Sequence, residues 1–300
     1  MRKALKPFLY YSPRRISSPD WLNLFGFQVL RTIFFNLIQS LKRLSSFQKK
    51  PSDLTSYIIK SLKEDGVVVL NNALDGKTFE SILRNSLGVG YEVIRNSEVP
   101  VIEAGKIDLA SKSDLQEMFG LNGHVTEAIN HLSGGCWKIA DLPSSYFRRE
   151  SIKEKHQIGC PHFDGQDIPH YDVPFHSYKA LLYLNSVDES NGAFKYSRGS
   201  HKLSVGRLIF EYMYSINYYH LKKLRRNIHP EITPRYLELI GGDPIKSYSG
   251  PANTLVIFDV MGIHARGTFS SLNPRNSVGF DYRMTDSFVN FIKNLSTLKS

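Results

Sequence analysis

Two hydrophobic periodicities divide the chain. In residues 21–44, Leu22, Phe25, Val29, Ile33, Leu37, Leu41 and Leu44 recur every three or four positions, the spacing of one helix face, while Asn23, Arg31, Thr32, Asn36, Ser40 and Arg43 fall elsewhere. After a polar joint with a proline, "FQKKPSD" at 47–53, the run "LTSYIIKSLKEDGVVVL" predicts a helix stopped at Gly66 and a buried strand at Val67–Leu70. From Gly66 to about Glu150 the pattern is mixed and helix-leaning. Downstream it changes to short apolar runs between turn residues: "ALLYL" from Ala180, "GAFKYS" from Gly192, "TLVIFD" from Thr254 and "SVGFDY" from Ser277. Short strands spaced in this way predict a sandwich or jelly roll. One helical insert interrupts them, "GRLIFEYMYSINYYHLKKLRR" at 206–226, which is expected to lie over one end of the sheet.

Composition narrows the class. A chain of 300 residues with 41% hydrophobic residues has enough apolar material for a substantial core. Its two cysteines, Cys136 and Cys160, and a start without a secretory pattern favour a reducing, cytoplasmic setting over a disulfide framework. The net charge of +10 would suggest nucleic acid if it were spread over the body. Residues 1–50, however, hold ten basic groups against Asp20 alone, +9 of the total, and residues 51–300 hold 28 basic and 27 acidic groups, +1. The expectation is therefore no nucleic-acid groove and two parts, a basic N-terminal arm (1–50) and a body (51–300). Polar residues interrupt the apolar run of the arm, so it does not read as a bilayer span. Two readings remain for its helix. One is peripheral contact with an anionic membrane. The other, preferred because ordinary surface helices carry the same pattern, is that the stripe packs on the body.

The candidate chemistry lies in "PHFDGQDIPHYDVPFHSYKALLYLNSV", 161–187, where His-x-Asp occurs twice, as His162/Asp164 and His170/Asp172. On an extended segment such a pair points both side chains to one face. With 10 histidines in the chain, about half of one such pair is expected by chance, so the count decides nothing. A metal site of the two-histidine, one-carboxylate type, as in non-haem Fe(II) oxygenases, needs a second histidine from a later strand. His264, after a buried strand and a turn at Gly262, can supply it. Arg275, beyond a Ser/Asn/Pro-rich loop, can anchor a dicarboxylate through a bidentate pair. Arg266, two residues from His264, competes for that role.

The runs "HYDVPFHSYKALLYLNSVDESNGAFKYSRGSHK" (170–202) and "PANTLVIFDVMGIHARG" (251–267), with Arg275 beyond and a weaker "KEDGVVVL" near the start of the body, resemble the phytanoyl-CoA dioxygenase family. The resemblance covers most of residues 54–283 and leaves the arm outside. It implies a double-stranded β-helix of the jelly-roll, cupin-like kind, with helices flanking a mainly β core. It also implies an Fe(II)- and 2-oxoglutarate-dependent oxygenase that uses O2 to hydroxylate an aliphatic carbon of a small-molecule or lipid- or glycan-linked substrate. The order His170, Asp172, His176, Lys179 matches the family's metal-binding step. It assigns His170, Asp172 and His264 to iron, with His162 and Asp164 as the alternative, and Arg275 to 2-oxoglutarate; Lys179, on the strand face of Leu181 and Tyr183, is read either as pointing into the cavity or as a solvated strand-end lysine. The family usually has a proline where this chain has Arg198, a departure in loop shape; His201 nearby reads as structural. Two other classes stay open: a metal-binding cupin of another reaction type, which would not need Arg275, and a non-catalytic binding module on the same fold.

Overall fold

The computed structural model describes residues 24–45, 50–95, 101–106, 123–135, 137–139, 146–152, 167–223 and 232–284. His162, Asp164, Cys136 and Cys160 lie outside them. Six helices and eleven strands are described: α1 (Phe27–Ser45), α2 (Asp53–Glu64), β1 (Val67–Leu70), α3 (Gly76–Gly88), β2 (Tyr91–Arg95), β3 (Val101–Lys106), α4 (His124–Ser133), β4 (Trp137–Ile139), β5 (Tyr146–Ser151), β6 (Tyr178–Tyr183), β7 (Phe194–Tyr196), α5 (Val205–Lys223), α6 (Pro234–Ile240), β8 (Lys246–Tyr248), β9 (Leu255–Asp259), β10 (His264–Arg266) and β11 (Arg275–Met284).

The strands form two antiparallel sheets. The larger runs β1-β9-β6-β11-β5-β3-β2, with β4 beside the far end of β11, and the smaller runs β10-β7-β8. Together with the flanking helices they make a double-stranded β-helix. The core fills the space between the sheets and under the helices: Leu182, Val256, Ile257 and Val278 come from the large sheet, Phe194 and Tyr196 from the small one, and Phe35 of α1 stacks on Phe175 with ring centroids 4.6 Å apart.

Local signals explain the frame around the site. Helix α2 starts at Ser52, whose hydroxyl accepts the Thr55 amide at 3.3 Å, and buries Thr55, Ile58, Ile59 and Leu62, spaced along one face. It ends at Gly66, whose φ of +80° suits glycine and sends the chain into β1. A side chain there would strike the His201 ring and the Tyr196 hydroxyl. Gly262 is equally constrained, because a Cβ would fall within 1.8 Å of the Tyr196 hydroxyl. It therefore lets the chain pass tightly from β9 to His264.

The structure differs from expectation in two places. The region between Gly66 and Glu150, expected to be mixed and helix-leaning, carries helices α3 and α4 but also β2, β3, β4 and β5, which extend the large sheet. Segments such as "YFRRES" are short and heavily charged, so tertiary pairing overrides a weak local pattern. The second difference is α1. Its apolar stripe does not pack on the body: of the expected positions, Phe25, Ile33, Leu37, Leu41 and Leu44, joined by Leu30, are between 41% and 81% exposed, Val29 is half-buried, and Leu22 lies outside the described residues. The inward face joins Phe27, Phe35 and Ile38 to the polar Gln28, Arg31, Thr32, Asn36 and Gln39. These polar groups find partners within the fold. The Asn36 amide donates to Thr32 O at 2.8 Å and Pro174 O at 3.3 Å, and the Gln39 amide to His176 O at 2.7 Å. Periodicity locates an apolar stripe but does not say which side of the helix the body covers.

Candidate metal and cosubstrate site

A cavity of about 220 Å³ opens between the two sheets. β11 supplies one wall by its two-residue alternation, with Arg275, Ser277, Gly279 and Asp281 all lining the cavity. Gly279 leaves open space, since a Cβ there would meet nothing within 4 Å. β5 contributes Arg148 and Glu150, β6 Lys179 and Leu181, and β10 His264 and Arg266, while Phe194, Phe258 and Phe280 form the apolar part.

His170, Asp172 and His264 meet at one end. Each offers a ligand atom, and all these atoms lie within 4.8 Å of one another. The two histidines are fixed by backbone pairing, His170 N–H donating to His264 O at 2.9 Å and His264 N–H to His170 O at 2.8 Å. The Asp172 amide donates to Val260 O at 3.0 Å, so both ligand segments hang on the same edge. Each ring is oriented through Nδ1, which donates to a carbonyl: His170 to Ile168 O at 2.7 Å and His264 to Gly262 O at 2.9 Å. With the proton at Nδ1, each Nε2 presents a lone pair toward Asp172, whose Oδ1 stands 3.8 Å from both. Three electron-pair donors thus converge at a separation too long for hydrogen bonding. A cation satisfies such a cluster, and two imidazoles with one carboxylate suit a divalent transition metal.

The electrostatics favour the ligand forms of His264 and Asp172. Burial holds His264 at about 4, below the ordinary histidine value, so it is neutral near pH 7. For Asp172 burial acts upward, but the Lys179 ammonium, followed by the two histidines, outweighs it and holds the carboxyl well below the usual range. Lys179 Nζ stands 2.7 Å from Asp172 Oδ2. That contact leaves Oδ1 as the oxygen turned toward the histidines. Tyr171, between the two ligands in sequence, is buried in a different cluster from the cavity. Its hydroxyl donates to Glu211 of α5 at 2.9 Å, and the Arg207 guanidinium lies 4.4 Å from its ring centroid. Arg207 also pairs with Glu211 at 2.8 Å and donates to Met261 O at 2.9 Å. The helical insert therefore braces the His-x-Asp segment, and among the described residues none of α5 lines the cavity.

At the other end three arginines surround one carboxylate. Arg275 Nη2 is 2.6 Å from Glu150 Oε2 and Nη1 donates to Gly192 O; Arg266 Nη1 is 3.6 Å from the same Glu150 oxygen, and Arg148 Nε pairs with Oε1. Burial alone would raise the Glu150 carboxyl, but Arg148, Arg275 and Arg266 bring it down to about 2. One negative charge against three positive ones leaves positive charge for an anionic ligand. Two buried donors on β11 have no partner among the described residues, Arg275 Nε and Ser277 Oγ. A carboxylate in the cavity suits both, because an unmet buried donor is costly.

The structure thus brings together His170, Asp172, Lys179, His264, Arg266 and Arg275. Sequence reasoning missed Arg148, Glu150, Ser277 and Asp281. The alternation in "YFRRES" and in "RNSVGFD" was the available signal, since period two places Arg148 with Glu150 and Arg275 with Ser277.

The buried titratable groups predict acid sensitivity. Burial holds His201, like His264, at about 4, against an ordinary 6.5. The unfolded chain gains these protons first, so metal-free protein should lose stability as pH falls from about 6.5 toward 4. Glu150, depressed from 4.5 to about 2, contributes stability that is intact above 4.5 and lost as pH falls toward 2. Thermal unfolding of metal-free protein across this range checks the expectation. A midpoint that stays flat from pH 7 to pH 4 would contradict it.

No protein-family model matches the chain, and no curated protein matches it in sequence. Similar solved structures exist. The epimerase SnoN, in complex with Fe3+, α-ketoglutarate and nogalamycin RO, shares 12% identity at a TM-score of 0.51, over 79% of this chain and 88% of that one. A second structure of SnoN, described as a non-haem α-ketoglutarate-dependent epimerase from nogalamycin biosynthesis, gives 13% and 0.52, over 77% and 83%. HygX from Streptomyces hygroscopicus, with nickel, 2-oxoglutarate and hygromycin B bound, gives 13% and 0.48, over 78% and 88%. At these identities the SnoN structures establish the shared fold. What the site does rests on its own residues.

Proposed function

We propose that this chain is an Fe(II)- and 2-oxoglutarate-dependent oxygenase of the phytanoyl-CoA dioxygenase type, hydroxylating an aliphatic carbon of a small-molecule substrate. The observation that carries the reading is the presence, in one cavity between the sheets, of a His-Asp-His donor set at one end and a buried guanidinium with unmet donors at the other. His170, Asp172 and His264 would hold the iron, with Lys179 keeping the outer oxygen of Asp172 engaged. Arg275 and Ser277 would receive the distal carboxylate of 2-oxoglutarate. Glu150 braces Arg275 from behind, and Arg266 adds charge from the small sheet. When bound, iron and 2-oxoglutarate with O2 supply the oxidising power for attack on an unactivated carbon. The protein positions the two ligands and keeps water from their contact through Phe194, Phe258 and Phe280. With iron bound, the carboxylate of Asp172 would serve as a ligand in place of a halide, which favours hydroxylation over halogenation.

The test is anaerobic titration with Fe(II) and 2-oxoglutarate, followed by succinate formation without substrate, on wild type, His170→Ala and His162→Ala. Expected are binding and slow succinate release in wild type and in His162→Ala, and loss of both in His170→Ala. Iron binding without 2-oxoglutarate turnover would mean a metal-dependent cupin of another reaction type. No iron binding at all would leave a non-catalytic module. If His162→Ala loses iron and His170→Ala keeps it, the other His-x-Asp pair is the ligand pair.

A further inference from the structure

We propose that α1 is a membrane-docking element: it lies in the plane of an anionic lipid surface, with its exposed stripe in the acyl boundary and its opposite face, where polar groups join Phe27, Phe35 and Ile38, packed on the body of the protein. The inference goes beyond the oxygenase reading and does not depend on it. Leu30, Ile33, Leu37, Leu41 and Leu44 project within an arc of about 80° and extend over about 21 Å of helix. Every position exposed between Leu30 and Leu41 is leucine or isoleucine. A surface helix of a monomer normally shows the reverse, polar outward and apolar inward. Here Gln28, Arg31, Thr32, Asn36 and Gln39 are buried instead. A continuous exposed apolar stripe of this kind marks an interaction surface.

Charge selects the occupant. Ten basic groups against one acidic group lie in residues 1–50, with Arg2, Lys3, Lys6, Arg14 and Arg15 before the stripe and Lys49 and Lys50 after it. A second copy docked stripe to stripe would bring two such +9 segments together, which repel. An anionic bilayer attracts a segment of this charge. The helix lies on the surface and does not span it: among the described residues no helix is long and apolar enough to cross a membrane. The docking helix is also joined to the site, because Asn36 and Gln39 hold the backbone at Pro174 and His176, between Asp172 and β6.

The experiment is co-sedimentation of the full chain with vesicles of mixed phosphatidylserine and phosphatidylcholine and with vesicles of phosphatidylcholine alone, for wild type and for Leu37→Gln/Leu41→Gln. Both substituted positions are exposed and outside the cavity, so unchanged Fe(II) binding and thermal unfolding verify that the variant is folded. Wild type should bind the anionic vesicles at least about tenfold more tightly than the neutral ones, and high salt should reduce this binding. The double variant should lose about tenfold or more on the anionic vesicles. Wild type that ignores anionic vesicles overturns the proposal, as does a double variant that binds them as wild type does. A concentration-dependent dimer that the double variant abolishes, without vesicle binding, would assign the stripe to self-association and also overturn it.

Discussion

Replacing His264 by alanine is expected to lower Fe(II) affinity by well over 100-fold and to abolish succinate formation. The magnitude follows from position. Residues that merely orient metal ligands change affinity by about 10- to 100-fold when removed, and His264 is itself one of three converging donors. Its ring is locked by Nδ1 on Gly262 O, and burial keeps it neutral, so the folded protein spends little free energy preparing it for a cation. Lys179→Met provides the graded comparison. It removes the 2.7 Å contact to Asp172 Oδ2 and leaves all three donors in place, so it should fall in the 10- to 100-fold class. Calorimetric or fluorescence titration with Fe(II) under anaerobic conditions measures both. If Lys179→Met costs as much as His264→Ala, the lysine does more than orient the carboxylate. If His264→Ala retains wild-type affinity, the assigned triad is wrong.

How far the sequence revealed this site depended on whether each residue sat in a strong local pattern. Strands β6, β7, β9 and β11 were readable because each is a short apolar run between turn residues, and the candidate ligands His170 and His264 and the candidate anchor Arg275 lie in or near them. β5 offered only the two-residue spacing of its charges. "YFRRES" shows no apolar alternation, since its inward residues are the charged Arg148, half-buried, and Glu150, fully buried among the arginines that neutralise it. A cavity wall lined by charge looks like surface in one dimension, and only the pairing of β5 with β11, which sets Arg275 opposite Glu150, shows otherwise. The helical insert was readable as a helix but not in its role. Arg207 and Glu211 sit four residues apart, the spacing of an ordinary surface ion pair, yet both are fully buried against Tyr171 and brace the His-x-Asp segment from behind. The stripe of α1 was located correctly and its direction missed. Burial of its polar side depends on carbonyls of Pro174 and His176 some 137 residues away, which local periodicity cannot contain.

Arg275→Ala is expected to raise the KM for 2-oxoglutarate by about 30- to 4000-fold while leaving Fe(II) affinity near that of wild type. Truncating one partner of a buried, hydrogen-bonded charge pair costs about 2–5 kcal/mol, and each 1.4 kcal/mol is about a tenfold change. The arginine is buried, engaged on one side by Glu150 and Gly192 O, and retains an Nε without a partner among the described residues, beside the unmet hydroxyl of Ser277. Arg275→Lys keeps the charge but not the planar fork and should recover only part of the loss. Arg266 makes the informative contrast: its Nη1 stands 3.6 Å from Glu150, against 2.6 Å for Arg275, and it comes from the small sheet beside His264. Arg266→Ala should therefore raise KM less. Steady-state succinate formation with varied 2-oxoglutarate, together with Fe(II) titration of each variant, separates the two arginines. A larger KM effect from Arg266→Ala would transfer the anchor to that residue. Equal loss of iron and cosubstrate in Arg275→Ala would mean that the arginine–Glu150 cluster holds the cavity together instead of reading the cosubstrate, an outcome that Glu150→Gln would then reproduce.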